Sequence, residues 1–289
     1  MRFSFKLPYF GKRTVIKLGA LTVVTAVGQG IWYRYQFDTS PSLPPPAGPT
    51  TGVERFIGKV KKAGQDFQDS ALYSKIKKIS LLFNDVGSGT SDSQKSTANS
   101  KKSYKLLILG DSLVRGIGCD YNSQEKMSPV LPRVLAGVLS SALKADIVWR
   151  AEGIVGGTVT DMESLFLPLV KDEFQSNEPH VEYIVILICG LNDWKSLLIH
   201  FPWGKGPNTF REDLKRFLES IRVAAGENNR KIHLYLPALP ILCGESDPNF
   251  ILQRRPMKFF VDAITWTWDL QKKIIAEDIS QVEELIWCT

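Results

Sequence analysis

Three short motifs of small and polar residues contain the side chains that could carry out chemistry. The first is Gly-Asp-Ser-Leu at 110–113, which follows an apolar run typical of a buried strand. A serine between a strand and a helix is exposed at the end of the strand, where backbone N–H groups can face a negatively charged oxygen. Ser112 is therefore a candidate nucleophile. Gly-Asp-Ser is also common in ordinary turns and caps, so the motif alone leaves both interpretations open.

The other two motifs could stabilise a negatively charged oxygen. Gly-Leu-Asn-Asp at 190–193 follows the apolar run YIVILI, and the NH2 group of Asn192 is a neutral donor of the kind that oxyanion holes use. The glycine-rich segment at 152–158 contains Gly156 and Gly157, whose backbones could approach a ligand closely and offer another N–H. Each motif is also compatible with a plain turn. The glycine spacing is not that of a dinucleotide site, and no P-loop is present.

These motifs need elements that bring them together. From about residue 104, short apolar runs alternate with longer segments of helical periodicity, which predicts an α/β fold: a three-layer α/β/α sandwich with a mainly parallel sheet. Strands are predicted at 105–109, 146–149, 183–189, 232–236 and 282–287. Helices are predicted at 127–143, 160–173, 210–225 and 258–276. Because parallel strands have their carboxyl ends on one edge, we expect the three motifs to meet there.

Together, the motifs resemble those of the SGNH or GDSL superfamily of serine ester hydrolases, over residues 104–289. The resemblance implies the flavodoxin-like SGNH hydrolase fold and attack on an acyl ester through an acyl-enzyme on Ser112, without a metal or a cofactor. The N–H groups of Ser112 and Gly156 and the side chain of Asn192 would form the oxyanion hole. Ala151 stands where the family often has asparagine, which leaves the choice of Gly156 over its neighbour open.

A serine hydroxyl also needs a base, usually a histidine held by a carboxylate. In the family that the motifs resemble, an Asp-x-x-His block after the last strand supplies both, and no aspartate after Asn192 has a histidine three residues later. His180 and His233 lie at the ends of predicted strands opposite to the motifs, whereas His200 could approach them. We expect that the block is missing through truncation of the sequence. A natural pseudoenzyme and a base role for His200 are the alternatives.

The N-terminal third differs in composition from the rest. Residues 1–37 contain no acidic side chain, and the mostly apolar stretch 14–33 is about as long as the roughly 20 residues that a spanning helix needs. A single-pass membrane anchor and a cleaved organelle transit peptide are both compatible with this composition. Residues 38–103 combine a proline-rich linker, an amphipathic basic helix over about 53–83 and a flexible Ser/Gly-rich tether, so the hydrolase domain is predicted to begin at residue 104.

The amino-acid composition limits which binding partners we expect. The 36 basic and 30 acidic residues give a formal charge of +6, with the excess in the first third of the chain. This favours contact with a membrane surface or an import machinery over binding of nucleic acid. The four cysteines form no Cys-x-x-Cys pair, so a zinc site is not indicated. The expected substrate is a small-molecule or lipid ester. The alternative is a non-catalytic binding protein with the same fold, and the oligomeric state stays open.

Overall fold

The computed structural model describes residue 25 and the ranges 49–55, 103–117, 129–175, 181–199, 203–239, 257–280 and 285–288. The predicted anchor at 14–33 lies outside them except for Thr25. The predicted basic helix beyond residue 55, the tether before residue 103, His180 and His200 also lie outside. Within the described residues, none of the helices has the length and apolar composition needed to span a bilayer.

Within the described ranges, six strands form one sheet in the order β1-β3-β2-β4-β5-β6. They are β1 (Thr51–Glu54), β2 (Ser103–Gly110), β3 (Ile147–Gly153), β4 (Val181–Ile188), β5 (Lys231–Pro237) and β6 (Leu285–Cys288). The last five are parallel to one another, and β1 is antiparallel to β3. From β2 the chain passes first to β3 on one side and later to β4 on the other. Open parallel sheets bind ligands at such a switch point, outside the carboxyl ends of the strands.

Helices cover both faces of this sheet. They are α1 (Ser112–Arg115), α2 (Val130–Leu143), α3 (Val159–Gln175), α4 (Leu191–Ile199), α5 (Pro207–Glu227) and α6 (Met257–Ser280). α2 packs on β3, whereas α3 and α5 pack together and contact β2 and β5 respectively. The predicted three-layer α/β/α sandwich with a mainly parallel sheet is confirmed.

The core explains why β2 has apolar residues at the four consecutive positions 106–109. On one face of the sheet, Leu106 and Ile108 pack with Leu139 of α2. On the other face, Lys105 Nζ donates a hydrogen bond of 3.0 Å to the carboxylate of Glu173 in α3. A strand covered on both faces needs apolar residues at consecutive positions rather than at alternate ones. The continuous apolar run is therefore the correct signal for a central parallel strand.

Two local predictions differ from the structure. Val53 and Glu54, which helical periodicity placed at the start of the basic helix, lie in β1. Their pairing with β3 determines this: Trp149 lies opposite Gly52, and a Cβ on that glycine would come within 2.7 Å of the indole ring. The sheet thus includes residues that precede the predicted boundary at residue 104. In addition, α4 is a helix at positions where no helix was predicted.

The chain divides into two compact units. One comprises Leu43–Leu239 and Thr267–Thr289, and it contains the sheet and the three motifs. The other comprises Met1–Ser42 and Pro240–Trp266, within which the structure describes Thr25 and the N-terminal part of α6. The site described below lies entirely within the first unit.

Candidate active site

The three motifs follow three adjacent strands. Gly110, the last residue of β2, pairs with Gly153 at the end of β3 and with Ile188 at the end of β4. The segments that carry the predicted site residues therefore leave the sheet side by side. They meet at the point where the strand order reverses, on the edge that the sequence predicted.

Asp111 holds the turn that carries the candidate nucleophile. It is the N-cap of α1, and its Oδ1 accepts a hydrogen bond of 2.9 Å from the N–H of Leu113. Its main-chain carbonyl accepts from N–H groups of the same short helix. Ser112 is half-buried and is the first residue of α1. The first N–H groups of a helix have no partner within it, so the Ser112 N–H is suited to a negatively charged oxygen.

Backbone packing fixes this turn against the neighbouring strands. A Cβ on Gly153 would lie 2.7 Å from the amide nitrogen of Arg115 and 2.8 Å from the carbonyl oxygen of Asp111. A Cβ on Gly110 would lie 2.5 Å from the carbonyl oxygen of Ile188. These neighbours are backbone atoms, which cannot rotate away as a flexible side chain could. Glycine at both positions allows the close approach that positions the turn.

In the glycine-rich segment, the N–H of Gly156 is more available to a ligand than the N–H of Gly157. Gly156 has a φ of 73°, which favours glycine, and it is exposed. The N–H of Gly157 donates to the carbonyl of Ile154 at 3.3 Å. No hydrogen bond within the described part of the chain uses the N–H of Gly156. Of the two candidate donors, Gly156 therefore has the N–H that can turn to a ligand.

Asn192 connects the third motif to this segment. It lies in the first turn of α4, and its Nδ2 donates a hydrogen bond of 3.1 Å to the carbonyl of Gly157. The side chain thus reaches from the end of β4 to the loop that follows β3. Because an amide NH2 carries two hydrogens, this bond can coexist with a second one to a substrate oxygen.

Asp193 ties α4 to the beginning of α3. Its two carboxylate oxygens lie 3.3 and 3.2 Å from the nitrogen of Val159, the first residue of α3. Burial raises the pKa of Asp193 to about 6, although the Val159 N–H acts in the opposite direction. The same helix terminus is capped locally, because Asp161 accepts hydrogen bonds from the N–H and the hydroxyl of Thr158. These contacts set the start of α3 directly after the glycine-rich segment.

Two side chains of α6 form hydrogen bonds with the backbone at and after the end of β5. Lys272, only 1% exposed, donates to the carbonyl of Pro237 at 2.8 Å. Asp269, one turn earlier, accepts from the N–H of Leu239 at 2.9 Å. Burial raises the pKa of Asp269, and the nearby charge of Lys272 opposes this change. This pair fixes the end of β5 at the same edge of the sheet.

Cys189 is a further nucleophilic side chain at this edge, and its environment suppresses its reactivity. It is fully buried, and burial raises the pKa of its thiol to about 12. A thiol in this environment stays protonated and is not a nucleophile at neutral pH. The described part of the chain contains no group of three His, Cys, Asp or Glu side chains that could hold a metal ion.

No histidine of the described residues lies at the carboxyl edge. His233 of β5 pairs with Ile184 of β4, and its Nε2 lies 3.3 Å from Oε2 of Glu182. Both partners belong to the first half of β4, so His233 is near the amino ends of the strands. This agrees with the sequence-based prediction that His233 is at the wrong end for a base.

Sequence reasoning did not assign roles to several residues of this edge. An aspartate directly before a helix is a common N-cap, so the role of Asp111 had a local signal. Asp193 and Lys272 had none, because their partners Val159 and Pro237 are 34 and 35 positions away.

Among known proteins, the chain is similar to several solved structures. No protein-family model matches the sequence, and no curated protein matches it either. Several solved structures that resemble this chain are lipases or esterases. A member of the lipolytic protein G-D-S-L family from Veillonella parvula is 14% identical, with 63% of this chain and 76% of that chain covered and a TM-score of 0.37.

Two further solved structures resemble the chain to a similar extent. Est24, a carbohydrate acetylesterase from Sinorhizobium meliloti, is 16% identical, with 64% of this chain and 83% of that chain covered and a TM-score of 0.42. The aryl esterase of M. smegmatis is 18% identical over the same shares, with a TM-score of 0.43. Because these TM-scores are low, the fold assignment rests on the strand order and helices of this chain.

Proposed function

We propose that this chain is a serine ester hydrolase of the SGNH/GDSL type that forms an acyl-enzyme on Ser112. One observation carries the proposal. The first N–H of α1, the N–H of Gly156 and the amide of Asn192 all lie at the carboxyl edge of three adjacent strands, and the Asn192 amide contacts the glycine-rich segment. This arrangement is suited to a nucleophile with an oxyanion hole.

In the reaction, Ser112 Oγ attacks the ester carbonyl carbon and gives its proton to a base. No histidine of the described residues is placed to be that base. The carbonyl oxygen becomes an oxyanion, which accepts hydrogen bonds from the N–H groups of Ser112 and Gly156 and from the side chain of Asn192. The intermediate expels the alcohol, which receives the proton, and leaves an acyl group on Ser112. Water then attacks the acyl carbon by the same route and releases the acid. One such side-chain donor contributes about 3–4 kcal/mol to the barrier reduction.

Covalent labelling tests the nucleophile. A fluorophosphonate probe should label the wild-type chain and the Ser141→Ala variant, but not Ser112→Ala. Ser141 is a matched control, because it is an exposed serine whose hydroxyl only bonds Gly137 within α2. Equal labelling of wild type and Ser112→Ala would exclude Ser112 as the nucleophile.

A non-catalytic binding protein with the same fold is the second candidate. It is favoured by the absence of a histidine at the carboxyl edge among the described residues. Removal of the histidine from a serine–histidine–aspartate triad lowers kcat by about a millionfold. A folded wild-type chain that p-nitrophenyl acetate protects against thermal unfolding, but that neither hydrolyses it nor reacts with the probe, would support this candidate over the enzyme.

The residues beside the site suggest an apolar acyl group, such as that of a lipid ester. Leu113, which follows Ser112, is 36% exposed, and Val155, which precedes Gly156, is 59% exposed. Exposed apolar side chains at a site favour apolar ligands. If they contact the acyl chain, kcat/KM should rise from acetate to octanoate p-nitrophenyl esters, and Val155→Ser should weaken that trend. An acetate preference that this variant leaves unchanged would contradict the lipid-ester proposal.

We also propose that residues 14–33 anchor the chain in a membrane as a single helix. Their acid-free composition and length support this. A full-length protein that stays in the membrane fraction after carbonate extraction would support the anchor. A shortened, carbonate-soluble protein inside an organelle would support the transit peptide instead.

A further inference from the structure

The start of α3 determines where the N–H of Gly156 lies. Only two residues separate Gly156 from Val159, the first residue of α3. The first turn of α4 holds this segment at two points. Asn192 Nδ2 donates to the carbonyl of Gly157, and the carboxylate of Asp193 accepts from the N–H of Val159. A displacement of the first turn of α3 would therefore move the backbone that carries a candidate oxyanion donor.

Thr160, the second residue of α3, takes part in a closed set of three hydrogen bonds. Its hydroxyl donates to Oδ2 of Asp213 in α5 at 3.1 Å and accepts from Nζ of Lys205 at 3.0 Å. Lys205 Nζ also donates to the same Oδ2 at 2.9 Å. A hydroxyl group can donate and accept at the same time, which an apolar side chain at this position could not do. These three side chains, the Thr160 cluster, tie the first turn of α3 to α5.

Asp213 is fixed on both of its carboxylate oxygens. The residue is 7% exposed, and its Oδ1 lies 3.0 Å from Nη2 of Arg216. Burial acts to raise the pKa of Asp213, but hydrogen bonds from Lys205 and Arg216 lower it overall. The carboxyl is therefore ionised at neutral pH. It cannot turn away from Thr160 without losing charge-assisted hydrogen bonds, which are stronger than neutral ones.

Lys205 connects the cluster to the helix that carries Asn192. It lies between Gly204 and Gly206 in the segment that joins α4 to α5. A Cβ on Gly204 would come within 2.6 Å of the Cα of Leu197, so this segment packs directly on the backbone of α4. α4 is thus linked to the start of α3 by two routes, one through the side chains of its own first turn and one through Lys205.

We propose that the Thr160 cluster holds the N–H of Gly156 at the separation from the Asn192 amide that an oxyanion requires. This inference rests on the proposed ester hydrolase activity. Thr160, Lys205 and Asp213 act through the backbone that precedes α3, so they are positioning residues. Donors that are in place before the reaction stabilise an oxyanion without the cost of reorganisation.

The hydroxyl of Thr160 can be removed without changing the shape of the side chain much. Thr160→Val should lower kcat for p-nitrophenyl acetate about tenfold and change KM by less than about twofold, because the loss affects transition-state binding. The loss is smaller than the roughly 100-fold that a misplacement of about 1 Å can cause, since the bonds from α4 remain. Thr160→Ser keeps the hydroxyl and should restore kcat to within about twofold of wild type.

Glu163→Gln is the matched control for support of the contact between α3 and α5. It weakens the pair between Glu163 and Arg216, in which Nη2 lies 2.7 Å from Oε2, one turn further along α3. This variant should leave kcat unchanged. An equal loss of kcat in Thr160→Val and Glu163→Gln would overturn the inference, because the cluster would then only support the packing of the two helices.

A second measurement does not depend on turnover. The NMR order parameter of the Gly156 amide should fall in Thr160→Val and keep its wild-type value in Thr160→Ser and Glu163→Gln. An unchanged order parameter in Thr160→Val would overturn the inference. Failure of the proposed function is distinguishable, because wild type would then neither hydrolyse the ester nor react with the probe at Ser112. In that case the Gly156 order parameter alone would decide whether the cluster positions this segment.

Discussion

Asp193 should make stability depend on pH in the direction opposite to that of an aspartate whose pKa is lowered by an ion pair or hydrogen bonds. Burial raises its pKa from 3.8 to about 6 in the folded chain. Between these two values the folded state binds more protons than the unfolded state, so the free energy of unfolding falls as the pH rises. A difference of about two pKa units corresponds to about 3 kcal/mol, fully expressed above pH 6.

Asp193→Asn removes this penalty and keeps the local structure. The amide oxygen can still accept from the N–H of Val159, which either carboxylate oxygen reaches in the wild type. The variant should therefore be more stable than wild type by up to about 2–3 kcal/mol at pH 7, and the two should nearly coincide at pH 4. Asp111 and Asp269, whose pKa values burial also raises, contribute equally to both proteins.

Urea unfolding at pH 3, 4, 5, 6 and 7, followed by tryptophan fluorescence, measures this difference. Asp161→Asn is a control of opposite sign, because hydrogen bonds from Thr158 lower the pKa of Asp161. That variant should lose stability at neutral pH and recover relative to wild type as the pH falls below the unfolded pKa. If wild type and Asp193→Asn kept a constant difference from pH 4 to 7, the assumed desolvation of Asp193 would be refuted.

Three further substitutions and treatments probe the same edge. Gly153→Ala should destabilise the fold by about 1–3 kcal/mol and slow fluorophosphonate labelling, because its Cβ would meet backbone atoms of Arg115 and Asp111. Urea melts and labelling rates check this, and an unperturbed variant would contradict the close packing. Asn192→Ala should lower kcat about 10²–10³-fold with little change in KM, and an effect on KM alone would indicate ground-state binding instead. Cys189 should resist iodoacetamide at pH 8 until urea unfolds the chain, since burial raises its pKa to about 12.

The sequence predicted the parallel strands well because their signal is local. The apolar run that became β2 needed no knowledge of its partners, and only its bounds moved, to Ser103–Gly110. β1 was not predicted, since Thr51–Glu54 has too few residues for a periodic signal and is a strand only through its pairing with β3. Its partners, such as Trp149, lie about a hundred residues later in the chain.

The candidate site shows the same division. Because parallel strands have their carboxyl ends on one edge of the sheet, the sequence was enough to predict that the three motifs lie on that edge. The strand register agrees with this prediction. The distinction between Gly156 and Gly157 depends on a turn hydrogen bond that composition does not reveal. The hydrogen bond from Lys272 to the carbonyl of Pro237 joins a helix to the end of a strand 35 positions away, so no local pattern could have indicated it.

β1 has a practical consequence for handling the protein. It occupies the outer edge of β3, so the N–H and carbonyl groups on that side of β3 are paired within the chain. A shortened protein beginning at residue 104 would leave this edge bare and uncover the indole of Trp149. Bare edges with apolar side chains recruit strands from other molecules. Residues 49–55 therefore protect the sheet from self-association, and their retention should decide whether the shortened protein stays in solution.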